Sequence, residues 1–469
     1  MNLKEINMND LPEDVKKIFN IFDREWTPIY LVGGCVRDML LGTTPKDYDF
    51  TVETTPENIE NILRLYHIPF NAMSAKYGTI VARIGNEEYE ITSTRKESDY
   101  VDNRHPEEVI FGVSIEEDLK RRDFTINAMA LDKEGTLIDP FDGQYDLNVG
   151  LIKTVGNPDI RFKEDPLRIM RALRFLITKN FYLVCIDSIT TNAMLKNKDL
   201  LNHISKERIT AELNKILTCG TPIKPVFSNE KVMEIIKVII PELGPCMHFE
   251  QHNKYHHQDV YNHILSVVDN CKTDKFEVKL AALLHDIGKP QTYVTDAEGW
   301  GHFYGHAKVS RDIAETVIDE RLSLTAREKD LVLALVEHHD MEVHVTEKCA
   351  RRMLNKFDRD FLSDFCILRQ ADRDDHVNLD PNRPLVNLND FMATVDEEIK
   401  KNTAVKVSDL AVRGNDLMDT FHISGPTVGQ TLKALLDAVM DEKVTNDKDT
   451  LLAFAAQYLE KDTDLEEER

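Results

Sequence analysis

A chain of 469 residues, 30% charged and 42% apolar, is too long for one ordinary core and has the composition of a globular protein with several domains. The formal net charge of −24 speaks against a broad, nonspecific nucleic-acid binder, although total charge constrains solubility more than it constrains a local site. No run approaches the roughly 18 apolar residues of a membrane span, the N-terminal MNLKEINMND lacks an apolar signal core, and seven scattered cysteines contain no CxxC pair. A cytoplasmic protein with reduced thiols and no membrane partner is expected.

In chain order, residues 1–28 read as an amphipathic helix leading into the first strand. Strands are predicted at 29–32, 47–52, 79–84, 88–94 and 126–131, and the acidic, turn-rich stretch 96–118 reads as a mobile loop with few core residues. From about 158 to 220, Leu and Ile recur at spacings of three and four, the mark of helices. Pro222, Pro225, Pro241 and Pro245 then punctuate a linker. A histidine-rich helical module covers about 250–380, and a last helical part runs from beyond 384 to about 461, before an acidic tail.

The segment Leu31-Val-Gly-Gly-Cys-Val-Arg-Asp-Met-Leu-Leu-Gly42 sets Gly33 and Gly34 where a strand turns into a helix, with Arg37 one turn in. Small residues let a backbone approach a phosphate, and a helix N-terminus favours negative charge. Lys46-Asp-Tyr-Asp-Phe50 then places Asp47 and Asp49 at i and i+2, on one side of a strand, where they can share divalent metal ions. Paired carboxylates beside a phosphate cradle are the apparatus of phosphoryl or nucleotidyl transfer. Glu90, in Tyr89-Glu-Ile-Thr92, could add a third metal-facing carboxylate.

In Leu119-Lys-Arg-Arg-Asp-Phe-Thr-Ile-Asn-Ala-Met-Ala130, Phe124, Ile126 and Met129 read as core. Arg122 offers a fork for phosphate oxygens, and Asp123 and Asn127 suit a ribose hydroxyl, with an ordinary charged turn as the plainer alternative. In Glu164-Asp-Pro-Leu-Arg-Ile-Met-Arg-Ala-Leu-Arg-Phe175, Pro166 suits a first helical turn with Asp165 near the N-cap. Asp165, Arg168, Arg171 and Arg174 recur every three residues on one stripe, away from Leu167, Met170, Leu173 and Phe175. That stripe is either a solvated basic face or a protein template for a base. As a template, the carboxylate accepts from the exocyclic amine of cytosine or adenine and Arg168 donates to the ring acceptor, so uracil and guanine leave the carboxylate unpaired. Arg171 and Arg174 would then hold the triphosphate or the primer end.

Taken in order, these motifs resemble the active-site signature of the class II tRNA nucleotidyltransferases and bacterial poly(A) polymerases, within the polymerase-β-like nucleotidyltransferases. The resemblance runs through residues 30–215 and resumes near 250. It implies an α+β fold: a nucleotidyltransferase head with a small mixed sheet at 1–150, then an all-α neck at 151–245, an HD part at 246–385 and a tail at 386–469. It implies Asp47, Asp49 and Glu90 as catalytic carboxylates, the first two holding Mg²⁺. Gly33, Gly34, Arg37, Arg122, Asp123, Asn127, Glu164, Asp165, Arg168, Arg171 and Arg174 become nucleotide-binding, with CTP and ATP as substrates and tRNA as partner. Tyr100-Val-Asp-Asn-Arg-His-Pro106 resembles a flexible-loop element carried by members that add a whole CCA end and absent from those that add two cytidines. Ser205-Lys-Glu-Arg-Ile-Thr-Ala-Glu-Leu213 resembles the motif that buttresses the template helix. Addition of CMP, CMP and AMP to tRNA is the expected activity. Poly(A) addition, or partial A- or CC-addition, is the chemical alternative.

The histidine module carries His257-Gln-Asp-Val-Tyr-Asn-His263, Leu284-His-Asp-Ile-Gly-Lys289, Gly305-His306, Glu337-His-His-Asp340 and Ala371-Asp372. Adjacent His and Asp offer an imidazole and a carboxylate to a borderline-hard divalent ion. The set resembles the HD phosphohydrolase superfamily. That resemblance implies one divalent metal on His263, His285, Asp286 and Asp372, a second on His306 with His338 or His339, and Lys289 facing a substrate phosphate. A rival of a different class therefore makes this site the main activity. Further on, Val412-Arg-Gly-Asn-Asp-Leu-Met418 and Gly425-Pro-Thr-Val-Gly-Gln-Thr-Leu-Lys433 resemble the tail of bacterial HD-containing members. The Gly-Pro turn there is either a phosphate cradle for RNA or an ordinary helix cap.

Overall fold

The computed structural model describes residues 3–97, 109–178, 185–252, 258–375 and 386–467, without the side chains of 97 and 461–467. The fold is mixed α+β and divides into two compact units: Met1–Pro245 with Thr316–Leu324, and Cys246–Glu315 with Thr325–Arg469.

In the first unit, helix α1 (Glu13–Arg24) buries Val15, Ile18, Phe19 and Phe22, the i, i+3, i+4, i+7 stripe of an amphipathic helix, and each side chain so buried contributes about 1.5–3 kcal/mol. The chain continues through β1 (Ile29–Val32), α2 (Gly34–Leu40), β2 (Phe50–Val52), α3 (Pro56–Leu65), β3 (Phe70–Asn71), β4 (Thr79–Ile84) and β5 (Glu87–Ser93). A hairpin of β6 (Arg95–Glu97) and β7 (Val109–Phe111) and helix α4 (Ile115–Lys120) precede β8 (Ala130–Leu131), β9 (Leu137–Ile138) and α5 (Gly143–Val149). Seven strands form one sheet in the order β3-β4-β5-β2-β1-β8-β9, and only β2 with β5 runs parallel. Phe19 meets Phe50 edge-on at 5.4 Å, which fastens α1 to the middle of the sheet.

Next come β10 (Leu151–Ile152), α6 (Pro158–Glu164), α7 (Leu167–Ile177), β11 (Cys185–Ile186), α8 (Ser188–Asn197), α9 (Lys206–Leu217), α10 (Lys224–Phe227) and α11 (Glu230–Ile239). In α7, Leu167, Met170, Leu173 and Phe175 are buried, which leaves the arginine stripe to face a cleft.

Four expectations need correction. Strand β2 starts at Phe50, so Asp47 and Asp49 lie in the extended approach to the strand rather than in it, although Val32 N still donates to Asp49 O at 3.0 Å. The strand expected at 126–131 shrinks to Ala130–Leu131, because Thr125–Asn127 is a 3₁₀ turn. Within 96–118 the described part is ordered: Ile115 and Leu119 are core at i and i+4 of α4, and Asp118 is buried as the partner of Arg121 and Arg122. The stretch 222–245 is not a linker: Pro225 opens α10, Pro241 opens a 3₁₀ turn that holds Pro245, and α11 between them buries Val232, Met233, Ile235, Ile236 and Ile239.

In the second unit, α12 (Val260–Asn270), α13 (Phe276–Leu284), α16 (Ala326–His338) and α18 (Arg359–Arg373) pack together, with the short α14 (Lys289–Thr292), the hairpin β12 (Tyr293–Thr295) and β13 (Gly301–Phe303), α17 (Glu347–Lys356) and the part of α15 (His306–Arg321) before Thr316 completing the module. After α19 (Leu388–Lys400), helices α20 (Gly414–Phe421), α21 (Pro426–Met440) and α22 (Lys448–Glu467) enclose a separate core around Leu417, Leu435, Val439 and Leu451.

Candidate functional site

Three sequence motifs of the first unit are sewn together by backbone hydrogen bonds at the end of β1. Val32 N donates to Asp49 O at 3.0 Å, and Gly33 N donates to Met129 O at 3.3 Å. Gly33 makes the turn with φ 73° and ψ −127°, and a Cβ there would lie 3.0 Å from Arg122 Nη1, so both conformation and space call for glycine. In the parallel pair, Phe50 opposite Ile91 puts Asp49 level with Glu90. Burial first, then Glu90 and Asp47, push the Asp49 carboxyl above the usual range, while Arg122 pulls the other way. Asp49 thus feels both of the other predicted carboxylates, and Asp47 and Glu90 are exposed. Carboxylate oxygens are the donors Mg²⁺ takes, but Asp47, Asp49 and Glu90 do not bring ligand atoms within 4.8 Å of one another in this arrangement.

These groups open onto a cleft of about 540 Å³ that gathers Gly33, Gly34, Arg37, Asp49, Arg122, Asp123, Asn127, Asp165, Arg168, Arg171 and Arg174. Seven arginines line it against three aspartates, and Asp38, Asp118, Glu164 and Glu212 pair with five of those arginines from outside the lining. Asp165 Oδ1 accepts from Leu167 N at 3.2 Å, as a cap would, and Oδ2 accepts from Arg208 Nη2 at 2.8 Å. Arg168 is held by Glu164 Oε2 at 3.0 Å and by the carbonyls of Arg121 and Arg161 at 3.0 and 3.3 Å. Glu164 also pairs with Arg161 and is not part of the cleft lining. Arg174 pairs with the buried Glu212 at 3.2 Å.

Asp123 is buried and ion-paired with Arg171. Burial would raise its carboxyl, but Arg171, Arg168 and the hydrogen bonds from Arg171 and Asn127 hold it down to about 2. Arg208 is legible only as part of a buttressing segment and Arg121 only as part of the basic cluster 120–122, while Phe175 gives no sequence sign that it lines the cleft. The loop 100–106 lies outside the described residues, as does His257.

The second unit holds a separate centre. His263 on α12, His285 and Asp286 after α13, His306 opening α15, and His339 after α16 bring four imidazoles to one carboxylate. Asp286 Oδ2 lies 3.2 Å from His263 Nε2 and 3.1 Å from His285 Nε2, and Asp286 Oδ1 lies 3.2 Å from His306 Nε2 and 3.5 Å from His339 Nε2. Asp372 Oδ1 is 3.3 Å from His263 Nε2 and 4.0 Å from His285 Nε2. Every Nδ1 is engaged away from the centre: with Asp375 Oδ2 at 2.7 Å, and with the carbonyls of Ala282 at 2.8 Å, Phe303 at 2.9 Å and Val336 at 2.7 Å. A carbonyl can only accept, so Nδ1 of His285, His306 and His339 carries a proton and Nε2 faces inward, with the Nε2 atoms of His306 and His339 3.1 Å apart so that one of the two donates. His285 Nε2 and Asp286 Oδ1 are buried without a hydrogen bond among the described residues. Imidazole nitrogens converging on a buried carboxylate suit a divalent metal once their inward protons leave, in two groups that share Asp286. Although buried, His263 is raised to about 10 by Asp286, Asp372 and Asp375, so these carboxylates hold a proton where a metal would compete for the same nitrogen.

His338 does not join this centre. It closes α16 and packs its ring on Phe357 at 5.0 Å, while His339, about 100° further round the helix axis, faces Asp286. Lys289 Nζ lies 2.6 Å from Asp286 Oδ2 and donates to Gln251 Oε1 at 3.0 Å. Asp375, which fixes His263 and accepts from Gln258 Nε2 at 3.0 Å, went unread, although it stands three residues past Asp372. His339→Ala is expected to weaken divalent-metal binding by the second unit at least about tenfold, and His338→Ala to leave it unchanged, as measured by isothermal titration with Mn²⁺. Equal effects of the two substitutions would refute this assignment.

Among families of known proteins, the Poly A polymerase head domain matches residues 29–153, the RNA and SrmB-binding site of polymerase A matches 184–244, the HD domain matches 231–375, and tRNA nucleotidyltransferase domain 2 matches 383–455. The CCA-adding enzyme of Geobacillus thermodenitrificans is 44% identical over 200 residues, which is 43% of this chain and 48% of the relative, so the chain spans about half the length of that curated relative. The crystal structure of Bacillus stearothermophilus CCA-adding enzyme in complex with CTP superimposes with a TM-score of 0.68 at 24% identity, over 96% of this chain and 98% of that one, a likeness of fold. The CCA-adding enzyme of Staphylococcus saprophyticus is 30% identical over 446 residues, 94% of this chain and 98% of the relative. Identity sustained at that level from end to end of both chains is kinship rather than a shared module, and this chain belongs to the family of CCA-adding enzymes.

Proposed function

We propose that the protein adds CMP, CMP and AMP to the 3′ ends of tRNA, taking CTP and ATP as substrates, in the cytosol. The observation that carries this reading is the joining of three motifs at one cleft, with Asp49 and seven guanidiniums in its wall. Asp47 and Asp49, with Glu90 beside them, would hold Mg²⁺. Bound there, Mg²⁺ supplies Lewis-acid activation of the primer hydroxyl and stabilisation of the leaving pyrophosphate. Gly33 and Gly34 let the triphosphate approach the backbone, while Arg37, Arg122, Arg171 and Arg174 supply positive charge to its oxygens. Asp165 and Arg168, each held by partners of its own, offer an acceptor and a donor to the base edge, and a mismatched base leaves a polar group unpaired at about 1–3 kcal/mol. Functionally, 1–150 acts as head, 151–245 as neck, 246–385 as HD part and 386–469 as tail.

The arginine-lined cleft supports this reading on an acidic chain, because its guanidiniums offer phosphate donors at one place; a poly(A) polymerase working on arbitrary RNA would need a broad basic surface. No helix among the described residues is long and apolar enough to cross a membrane. The second unit supports a further reading, a metal-dependent phosphohydrolase, on the strength of four inward-facing imidazoles around Asp286.

The test is extension of tRNA transcripts lacking the 3′ CCA, with each nucleotide alone and then CTP with ATP, resolved to one nucleotide. A stop after three additions, with CTP required before ATP, is expected. Long tails from ATP alone would move the assignment to poly(A) addition, and arrest at a one- or two-nucleotide product would move it to a partial enzyme. No extension, with hydrolysis of phosphoesters lost in His285→Ala, would shift it to the second unit.

A further inference from the structure

We propose that Tyr304, backed by the ring of His302, is a stacking surface for a nucleobase at the mouth of the histidine centre, and that it selects phosphoesters that carry a base. The proposal rests on the phosphohydrolase reading of the second unit and names the residue that would choose its substrate.

The hairpin of β12 and β13 has two unlike faces. One is packed against the module: Tyr293 meets Phe303 at 5.5 Å and Phe249 edge-on at 5.4 Å, and Gly301 N donates to His252 O at 2.9 Å. A Cβ on Gly301 would lie 2.6 Å from Tyr293 Cε2, so the hairpin sits tightly there. Side chains alternate across a strand, which puts His302, and Val294 opposite it, on the other face. Tyr304, two residues beyond His302, is 74% exposed, and Val294 and Trp300 are exposed as well. Aromatic and apolar groups gathered on one small face, rather than scattered singly, mark a surface that binds something.

The rings on this face are held in place. His302 and Tyr304 lie parallel within 5°, their centres 5.4 Å apart, as in an offset stack. Asp296 fixes His302 in turn: its Oδ2 lies 2.8 Å from His302 Nε2, while its Oδ1 accepts from Glu298 N and Trp300 N, both at 2.9 Å. Tyr304 is thus a flat ring backed by an anchored imidazole and otherwise open to water. Every base has a π-face that stacks on such a ring.

This ring stands beside the metal-binding centre. His306 is the imidazole through which that centre meets solvent, with its side chain 15% exposed against 3% or less for His263, His285 and His339. The carbonyl of Phe303, between His302 and Tyr304, orients its ring. Tyr304 is two residues before His306, at most roughly 7 Å along the chain, so one nucleotide reaches from the ring to the centre. A divalent metal held by Asp286 and His306 would supply positive charge for the phosphate, and Tyr304 carries the base. A phosphoester without a base gains nothing from the ring.

The test uses the full chain loaded with Mn²⁺ and two probes titrated calorimetrically: 5′-AMP, and ribose 5-phosphate, which has the same phosphate and no base. The first unit has a nucleotide cleft of its own, so the binding to be read is the part that His285→Ala abolishes. Tyr304→Ala is expected to weaken that AMP binding about tenfold and to leave ribose 5-phosphate at the parent affinity. Tyr304→Phe, which keeps the ring, should bind AMP as the parent does, and His302→Ala, which removes the backing, should weaken it. Tyr304 is so exposed that its truncation removes no core packing. AMP binding that His285→Ala leaves whole would overturn the proposal, as would AMP held no tighter than ribose 5-phosphate. Parent-like AMP binding by Tyr304→Ala would also overturn it and leave this face to another partner. Equal loss of both probes would overturn it too, since Tyr304 would then act through His306 alone. Calorimetry reads affinity rather than turnover. A chain that hydrolyses no phosphoester but shows these affinities would refute the phosphohydrolase reading and leave the base subsite standing.

Discussion

Asp49→Asn is expected to lower nucleotide addition by a factor on the order of 10³ or more while leaving the melting temperature equal to or above that of the parent. A carboxylate that helps hold a catalytic metal supplies several kcal/mol to the transition state, and each 1.4 kcal/mol is about tenfold in rate. The stability half of the expectation comes from the site itself. Burial and the neighbouring Glu90 and Asp47 push the Asp49 carboxyl up, so its charged form opposes the folded state, and a neutral amide of the same shape removes that cost. A fall in activity with a matching fall in melting temperature would mean that Asp49 is structural. Full activity would remove it, and the metal assignment at this cleft, from the mechanism. Asp47→Ala should behave alike in activity, and its exposed position leaves little for it to contribute to stability.

Asp286→Ala should have the largest effect on stability. Four imidazoles and Lys289 point at this one carboxylate, which is 1% exposed. Burial would raise it, yet His285 and Lys289 hold it well below the ordinary carboxylate range. Removing one partner from a buried ionic cluster leaves the others uncompensated, at about 3–5 kcal/mol. The second unit should therefore unfold at lower denaturant, and the protein should retain no divalent metal through dialysis, as read by elemental analysis. CCA addition, which this reading assigns to the first unit, should persist at temperatures where both units stay folded. Retention of metal by Asp286→Ala would show that the ligands lie elsewhere, and simultaneous loss of CCA addition in the folded variant would tie the two chemistries together.

Much of this was legible because several motifs fix backbone and side chain at once. The double glycine announces a turn that no other residue makes comfortably, and β1 and β4 fall where alternation put them, at Ile29–Val32 and Thr79–Ile84. Other features have no signature in residue type. His338 and His339 are the same residue side by side, and only the end of α16 decides which faces inward. Glu116 and Glu117 mask Ile115 and Leu119, so a helix with a core stripe reads as an acidic loop. Proline looks alike in a linker and at a helix cap, which concealed α11. Asp123 could be read as an acceptor, but which donors it would meet depended on Arg171, 48 residues away.

The placing of Thr316–Leu324 in the first unit bears on how the protein is made. There Lys206 Nζ donates to Asp319 O at 2.5 Å and Ser323 N donates to Thr210 Oγ1 at 2.9 Å, both along α9. The ribosome delivers this segment only after it has made Cys246–Glu315, about 70 residues of the second unit. At about 5–20 residues per second the wait is on the order of ten seconds. The nascent head and neck spend that interval without one of their own pieces, and a gene cut after Pro245 never supplies it.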